Sequence, residues 1–395
     1  MDFRLPPDLV EWQQNVRDFV VRELQPHDEE IERTGVIPPG LVQKMAERGL
    51  FGANTPRAYG GLGLSMLGGC LATAELAKAH VALYYRSGIN AHIGSKAIEL
   101  DGSEAQKRRW LPELASGRTI AALALTEPEA GSDAASIRMA ARRDGDAYVL
   151  DGRKIYITNA AEAGLFTVFA TVDPTAGARG ITAFLVEAGT PGLTVERLIE
   201  MAGGRGASHG EVVFRECRVS AANRIGAEGQ GFASAMRCLD TGRLHWGAYC
   251  VGVAERLLGL ATRRASERRQ FGRPLREYQQ IEFAIADMAA SLHAARLVAY
   301  EAAWRYDQEP KDRQLSGALS KLIGADMVDR VADQTLQIFG GAGYSKDYPI
   351  ERIWREVRVV RILDGTSEMM RRIVARYVFR PAGPGPDDGR KHIRP

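Results

Sequence analysis

LTEPEAGSD, residues 125–133, follows a short apolar run, residues 120–125, and precedes a charged segment. Pro128 fixes one backbone angle, Gly131 permits a left-handed turn, and Ser132 and Asp133 offer oxygens to backbone donors. A rigid loop edged with hydroxyls and N–H groups follows, suited to cradling a polar planar ligand. Many loops of this composition only connect elements, so the reading depends on what lies on either side.

Before the loop the pattern is helical. Leu9, Trp12, Val16, Phe19 and Val20 recur at helical spacings, Leu41, Met45 and Leu50 follow at four and five, and residues 67–79 are small and apolar. Gly60, Gly61 and Gly63 punctuate two of these helices, and no strand precedes them as a dinucleotide fingerprint requires. After the loop the period becomes two: residues 148–150, 154–158, 166–172, 181–186, 193–196 and 211–214 are short β-branched or aromatic runs separated by turns. Six strands at this spacing predict a small antiparallel barrel or sandwich. Beyond residues 226–231 the helical period returns, predicting helices over 232–266, 278–307, 315–339 and 366–378. The fold class is therefore mixed α and β. The expected domains are a helical unit at 1–119, a β unit at 120–229, a helical bundle at 230–380 and a flexible tail at 381–395.

Composition narrows the function. A net charge of +3 over 395 residues is no nucleic-acid signature. Basic residues cluster at 263–273 and 352–361, where intervening acids suggest a solvated or anion-binding helix face. Cys70, Cys217, Cys238 and Cys250 lack metal or redox spacing and read as buried thiols of a reducing compartment. His92, His209 and His245 read as isolated packing or hydrogen-bonding residues, so no metal is expected. No apolar run is long enough for a membrane span, and the N-terminus lacks the pattern of a signal peptide. The expectation is a cytoplasmic protein without membrane or nucleic-acid partners.

Three further motifs accompany the loop: YITNA at 156–160, ERRQFG at 267–272, and QIFGGAGY at 337–344 followed by ILDGTSE at 362–368. In this order and spacing the chain resembles the acyl-CoA dehydrogenase family of flavoproteins over residues 1–380. The resemblance implies an N-terminal helical domain, a middle antiparallel β-barrel and a C-terminal four-helix bundle. It also implies a homotetramer with FAD in each subunit, α,β-dehydrogenation of an acyl-CoA thioester, and an electron-transferring flavoprotein as acceptor.

Carried over by residue, the resemblance places Leu123, Leu125, Thr126, Gly131 and Ser132 along the flavin, with Ser132 also reaching the CoA side. Tyr156, Ile157 and Thr158 would cover one flank of the ring, Tyr156 standing where relatives often have Trp. Arg268, Gln270, Phe271 and Gln279 would meet the FAD of a neighbouring subunit, as would Gln337, Phe339, Gly340 and Gly341. A diphosphate wants arginine and helix-end N–H groups, although Arg268 also reads as a surface charge and Gly340 as a helix cap. Thr366 and Glu368 would touch FAD, while Asp240, Arg243, Leu363 and Gly365 would line the substrate.

The implied reaction needs a carboxylate to take the α-proton as hydride leaves the β-carbon for the flavin. The resemblance puts that base at Asp364, where relatives commonly have Glu. The alternative base position of some relatives, two residues beyond Asp240, is Gly242. Asp is shorter by one methylene, which retracts the carboxylate by about 1.5 Å. A branched or cyclic acyl group would bring its proton nearer to such a base. A 1,4-dehydrogenation of a cyclic enoyl-CoA, a dicarboxylyl-CoA substrate and a non-dehydrogenating relative remain open at this point. Tyr85-Arg86-Ser87 resembles a motif of glutaryl-CoA dehydrogenases, so Arg86 reads as a carboxylate clamp or as an ion-pair partner.

Overall fold

The computed structural model describes residues 4–308 and 313–379. The tail at 381–395 lies outside the described residues. The N-terminal part contains α1 (Pro7–Phe19), α2 (Asp28–Thr34), α3 (Pro39–Glu47), α4 (Met66–Leu76) and α5 (Val81–Tyr84). A π-helical stretch, Tyr85–Gly94, then leads into α6 (Lys96–Asp101) and α7 (Glu104–Ala115). A reciprocal capping box starts α7: Ser103 Oγ accepts from the Gln106 N–H, and the Gln106 side chain accepts from the Ser103 N–H.

The switch to period two after Ile120 yields β1 (Ala121–Ala124), β2 (Ala140–Asp144), β3 (Ala147–Thr158) and β4 (Leu165–Thr171). These are followed by β5 (Ile181–Glu187), β6 (Leu193–Leu198), β7 (His209–Ser220) and β8 (Arg224–Ile225). Among the described residues they form one eight-stranded sheet in the order β6-β7-β3-β2-β4-β5-β8, with β1 added beside β4. Of the six strands expected, the runs at 148–150 and 154–158 are a single strand, β3, and β1, β2 and the two-residue β8 were not expected, being too short or too charged to show a period of two. The antiparallel expectation holds for most pairs, but β1 and β2 both run parallel to β4, with Ala121 opposite Leu165 and Ala140 opposite Thr171. A parallel neighbour requires a long crossover, and for β1 the strands β2 and β3 occupy it.

The last part comprises α8 (Gly231–Glu267), the small hairpin β9 (Arg269–Gln270) and β10 (Arg273–Pro274), α9 (Gln279–Gln308), α10 (Arg313–Phe339), α11 (Gly341–Tyr344), α12 (Ile350–Arg358) and α13 (Ser367–Val378). The four expected helices correspond to α8, α9, α10 and α13. Helix α12 was read only as a basic cluster, and its arginines correct the idea of an anion-binding face. Arg352 is buried and donates to Asp28, while Arg355 pairs with Glu32 at 2.9 Å and Glu351 at 2.7 Å. Pairing engages these two guanidiniums inside the fold, although Arg352 Nε has no hydrogen-bond partner.

The 37-residue α8 is the central strut. A Cβ on Gly247 would stand 2.0 Å from Ser320 Oγ, and one on Gly252 would stand 1.8 Å from the Ala74 carbonyl oxygen. Their bare backbones let α10 and α4 pack closely on opposite sides of α8. One apolar core joins the N-terminal helices to α8, α9, α10 and α12, and a separate one fills the sheet. Asn90 ties the two regions together, donating to the Leu114 carbonyl and accepting from the Ala121 N–H. Among the described residues no helix is long and apolar enough to cross a membrane.

Candidate active site

The 125–133 loop is built on a buried ion pair that the sequence reading passed over. Lys154, fully buried in β3, donates to the Leu125 carbonyl at 2.9 Å and to Glu127 Oε1 at 2.7 Å. Glu127 also accepts from the backbone N–H groups of Arg138 and Met139. Burial pulls the Lys154 ammonium down to about 8, with Glu127 opposing the shift. The Ile155 N–H donates to the Thr126 carbonyl at 2.9 Å, so the loop is pinned along β3.

Two residues later β3 breaks register with β7, between Lys154 and Ile157, and Tyr156 takes a left-handed φ of 59°. The bulge turns the Tyr156 ring outward, 55% exposed, beside the loop. Ile157 points the other way, into the sheet core, so only its backbone can face a ligand there. Leu125 is likewise buried. Asn159, also left-handed, donates to the Tyr85 carbonyl at 2.9 Å and anchors this motif to the π-helical stretch.

The second half of the site lies around Asp364. Residues 359–361 form a 3-10 turn, after which Asp364 and Gly365 both adopt positive φ, 50° and 97°. Lys321, buried in α10, holds this turn at both ends, donating to the carbonyls of Val360 at 2.8 Å and Gly365 at 2.7 Å. Arg243 Nε donates to the Asp364 carbonyl at 3.2 Å, and its Nη1 pairs with Asp240 at 2.8 Å. The spacing of three on α8 puts that pair on one face. Burial raises Asp240 to about 6 against the pull of Arg243. Both side chains are buried, and Arg243 faces the Asp364 turn. Thr366 caps α13, its hydroxyl accepting from the Met369 N–H, whereas Glu368 is exposed.

The Asp364 carboxylate meets two residues of α8 four positions apart. Trp246 Nε1 donates to Oδ2 at 2.8 Å, and a Cβ added to Gly242 would stand 3.4 Å from the same oxygen. Burial raises the Asp364 pKa from the ordinary aspartate value, while Trp246, Lys321 and Arg243 oppose the rise. Behind Trp246 lies an aromatic wall: Tyr84 at 5.0 Å, Tyr249 at 5.2 Å and Tyr85 at 6.0 Å between ring centroids. Next to it His92 and His245 stack 3.2 Å apart, which corrects the reading of them as isolated. Burial lowers both, His92 to about 3, so the two rings meet uncharged.

The remaining expected cofactor residues are divided. Arg268, Gln270, Gln279, Gln337, Gly340 and Gly341 are exposed, and Phe271 is 96% exposed on the β9–β10 hairpin. Phe339 is buried, its ring edge-on to Tyr348, so its side chain is a packing element. Arg86 pairs with Glu162 at 2.8 Å, the ion-pair reading rather than an open clamp.

Trp246, Lys321 and the Lys154–Glu127 pair were missed in the sequence. A signal existed for Lys321, a cation on the α10 face that also carries Gly317, Ala318, Gly324 and Ala325. A flat cofactor fits the residues present. Tyr156 offers an outward aromatic face, and a Cβ on Gly131, Gly272, Gly340 or Gly341 would meet nothing within 4 Å.

Comparison with known proteins agrees with this geometry. Residues 6–118, 122–217 and 229–379 match the family descriptions acyl-CoA dehydrogenase N-terminal, middle and C-terminal domain. The chain is 38% identical over 364 residues to an acyl-CoA dehydrogenase of Bacillus subtilis, covering 92% of this chain and 96% of that one. It is 39% identical over 383 residues to the acryloyl-CoA reductase (NADH) of Anaerotignum propionicum, covering 96% of each. The structure of butyryl-CoA dehydrogenase from Megasphaera elsdenii superposes with a TM-score of 0.93 at 35% identity, covering 96% of this chain and all of that one. The chain belongs to the acyl-CoA dehydrogenase family and is an FAD-dependent oxidoreductase.

Proposed function

We propose that this enzyme dehydrogenates a compact acyl-CoA, branched or cyclic at the reacting carbons, with Asp364 taking the α-proton. The observation that carries the reading is the Asp364 carboxylate, held by Trp246 and facing Gly242 in front of an aromatic wall. A short base seated against closely packed rings suits an acyl group that is wide near the thioester and does not run deep. FAD, when bound, accepts the hydride leaving the β-carbon. Asp364 receives the proton on its carboxylate, and its backbone N–H donates to the thioester carbonyl, acidifying the α-carbon. Burial makes the carboxylate a stronger base, and Trp246, Lys321 and Arg243 oppose that effect.

The loop residues Leu123, Leu125, Thr126, Gly131 and Ser132, with Tyr156, Ile157 and Thr158, hold the flavin in this reading. Ile157 and Leu125 contribute backbone. Thr366 and Glu368 contact it from the α13 side, and Asp240, Arg243, Leu363 and Gly365 shape the substrate side. The exposed set Arg268, Gln270, Phe271, Gln279, Gln337, Gly340 and Gly341 serves the cofactor of a neighbouring subunit in a homotetramer. An electron-transferring flavoprotein is the acceptor. The identity to the acryloyl-CoA reductase supports a second direction, since the same groups deliver proton and hydride to an enoyl-CoA in reverse.

Anaerobic titration of the holoenzyme with linear, branched, cyclic and dicarboxylic CoA esters tests the proposal. Branched or cyclic esters should bleach the oxidised flavin faster than a linear ester of equal carbon number. Equal rates would remove the substrate assignment, and no bleaching by any ester would remove dehydrogenation. Asp364→Ala should retain FAD and bind CoA esters without reducing the flavin.

A further inference from the structure

We propose that Trp246 is the positioning residue for the base: its indole N–H fixes Asp364 Oδ2 and reserves Oδ1 for the incoming proton. The inference rests on the reading of Asp364 as the base. Asp364 stands in a left-handed turn followed by a second residue of positive φ. Among the described residues, Trp246 is the side chain that hydrogen-bonds the carboxylate. The other neighbours are committed elsewhere. Arg243 donates to the Asp364 carbonyl and to Asp240, and Lys321 donates to the carbonyls of Val360 and Gly365.

The donor is itself held rigidly. Trp246 is 1% exposed, and its ring is packed edge-on by Tyr84 at 78°, Tyr249 at 74° and Tyr85 at 63°. Rotating the indole would drive it into one of these rings, so the N–H keeps a single direction. An indole N–H only donates and does not titrate, so it favours the ionised carboxylate over the protonated one. The charged and titratable groups facing Asp364 are Arg243 from α8, Lys321 from α10, Tyr84 from α5 and Tyr85 from the π-helical stretch. Both tyrosines are pushed upward by burial and stay neutral, which leaves the two cations and Trp246 to oppose desolvation of the base. Positioning matters more for aspartate than for glutamate, because a short arm cannot recover reach by changing rotamer. A displacement of about 1 Å at a reacting group lowers rate roughly a hundredfold.

Trp246→Phe removes the N–H and keeps an aromatic ring. In the holoenzyme, the acid limb of the pH profile for flavin reduction should move toward alkaline pH by about one unit. An unmoved limb, with the rate lowered equally at all pH, would reduce Trp246 to a packing residue and overturn the proposal. A second measurement needs no substrate and no Trp246 variant. Wild-type holoenzyme carrying 5-fluorotryptophan at its five tryptophans should show one fluorine resonance that titrates with the base. That titration should vanish in Asp364→Asn. Its absence in the wild type, or its persistence in the variant, would sink the proposal. Because no acyl-CoA is present, this result stands apart from whether the substrate assignment is right.

Discussion

Gly242 lies opposite the Asp364 carboxylate, so close that a β-carbon added to it would stand 3.4 Å from Oδ2. The short acid and the missing side chain are two parts of one arrangement. Lengthening the acid to Asp364→Glu carries its carboxylate beyond the Trp246 N–H and over Gly242. Turnover of compact esters should fall on the order of a hundredfold, and linear esters should gain relative to them. Stopped-flow flavin reduction with both ester types checks the reversal; parallel losses would deny that the arm length is matched to the acyl group.

Lys321 braces the turn that presents Asp364. Lys321→Met leaves the carbonyls of Val360 and Gly365 without their donor inside the protein, a loss of about 1–3 kcal/mol in unfolding stability. The same change removes a cation that holds Asp364 down, so its acid limb should also move to higher pH. Denaturant unfolding and the pH profile of flavin reduction read the two effects separately. A stable variant with an unshifted limb would show that the ammonium serves neither role.

The Lys154–Glu127 pair supports the loop assigned to the flavin. Lys154→Met strands a buried carboxylate, which costs about 3–5 kcal/mol, and frees the Leu125 carbonyl. FAD content, measured as the flavin-to-protein absorbance ratio, should drop together with the melting temperature. Adding Glu127→Gln should restore part of both, because the uncompensated charge is then gone. Full FAD occupancy in the single variant would detach this pair from cofactor binding.

His92, His209 and His245 have folded pKa values below the ordinary histidine value, the cause in each being burial. Their neutral forms belong to the folded state, so the unfolded chain binds more protons as pH falls. The stabilisation they give is complete above about 6.5 and is eroded as pH drops, for His92 toward about 3. The denaturation midpoint should therefore fall between about pH 7 and about pH 5. His92→Phe should flatten that slope, and an unchanged slope would assign the acid lability to other groups.

The periodicities in the chain set out helices, then strands, then helices, and placed α8, α9, α10 and α13 within a residue or two of where they lie. They missed β1, β2, β8 and α12 and divided β3 in two, because very short or heavily charged segments carry little periodic signal. Local chemistry was legible where one residue type is decisive, as at Asp364 and Gly242, whereas the left-handed turn expected at Gly131 is not adopted. Arg352 and Arg355 looked like a solvated basic face because their acidic partners, Asp28 and Glu32, come over three hundred residues earlier.

By itself, the sequence determined the family, the order of the elements and the identity of the short acid. Each of these depends on residues close together in the chain or on motifs in a fixed order. Only the tertiary structure decided what holds that acid: an indole N–H from α8, an ammonium from α10 and aromatic rings from α5 and the stretch after it. Those groups are brought together by helix packing, where exclusion of water gives one hydrogen bond or one buried charge its direction and strength, and no local pattern encodes that meeting.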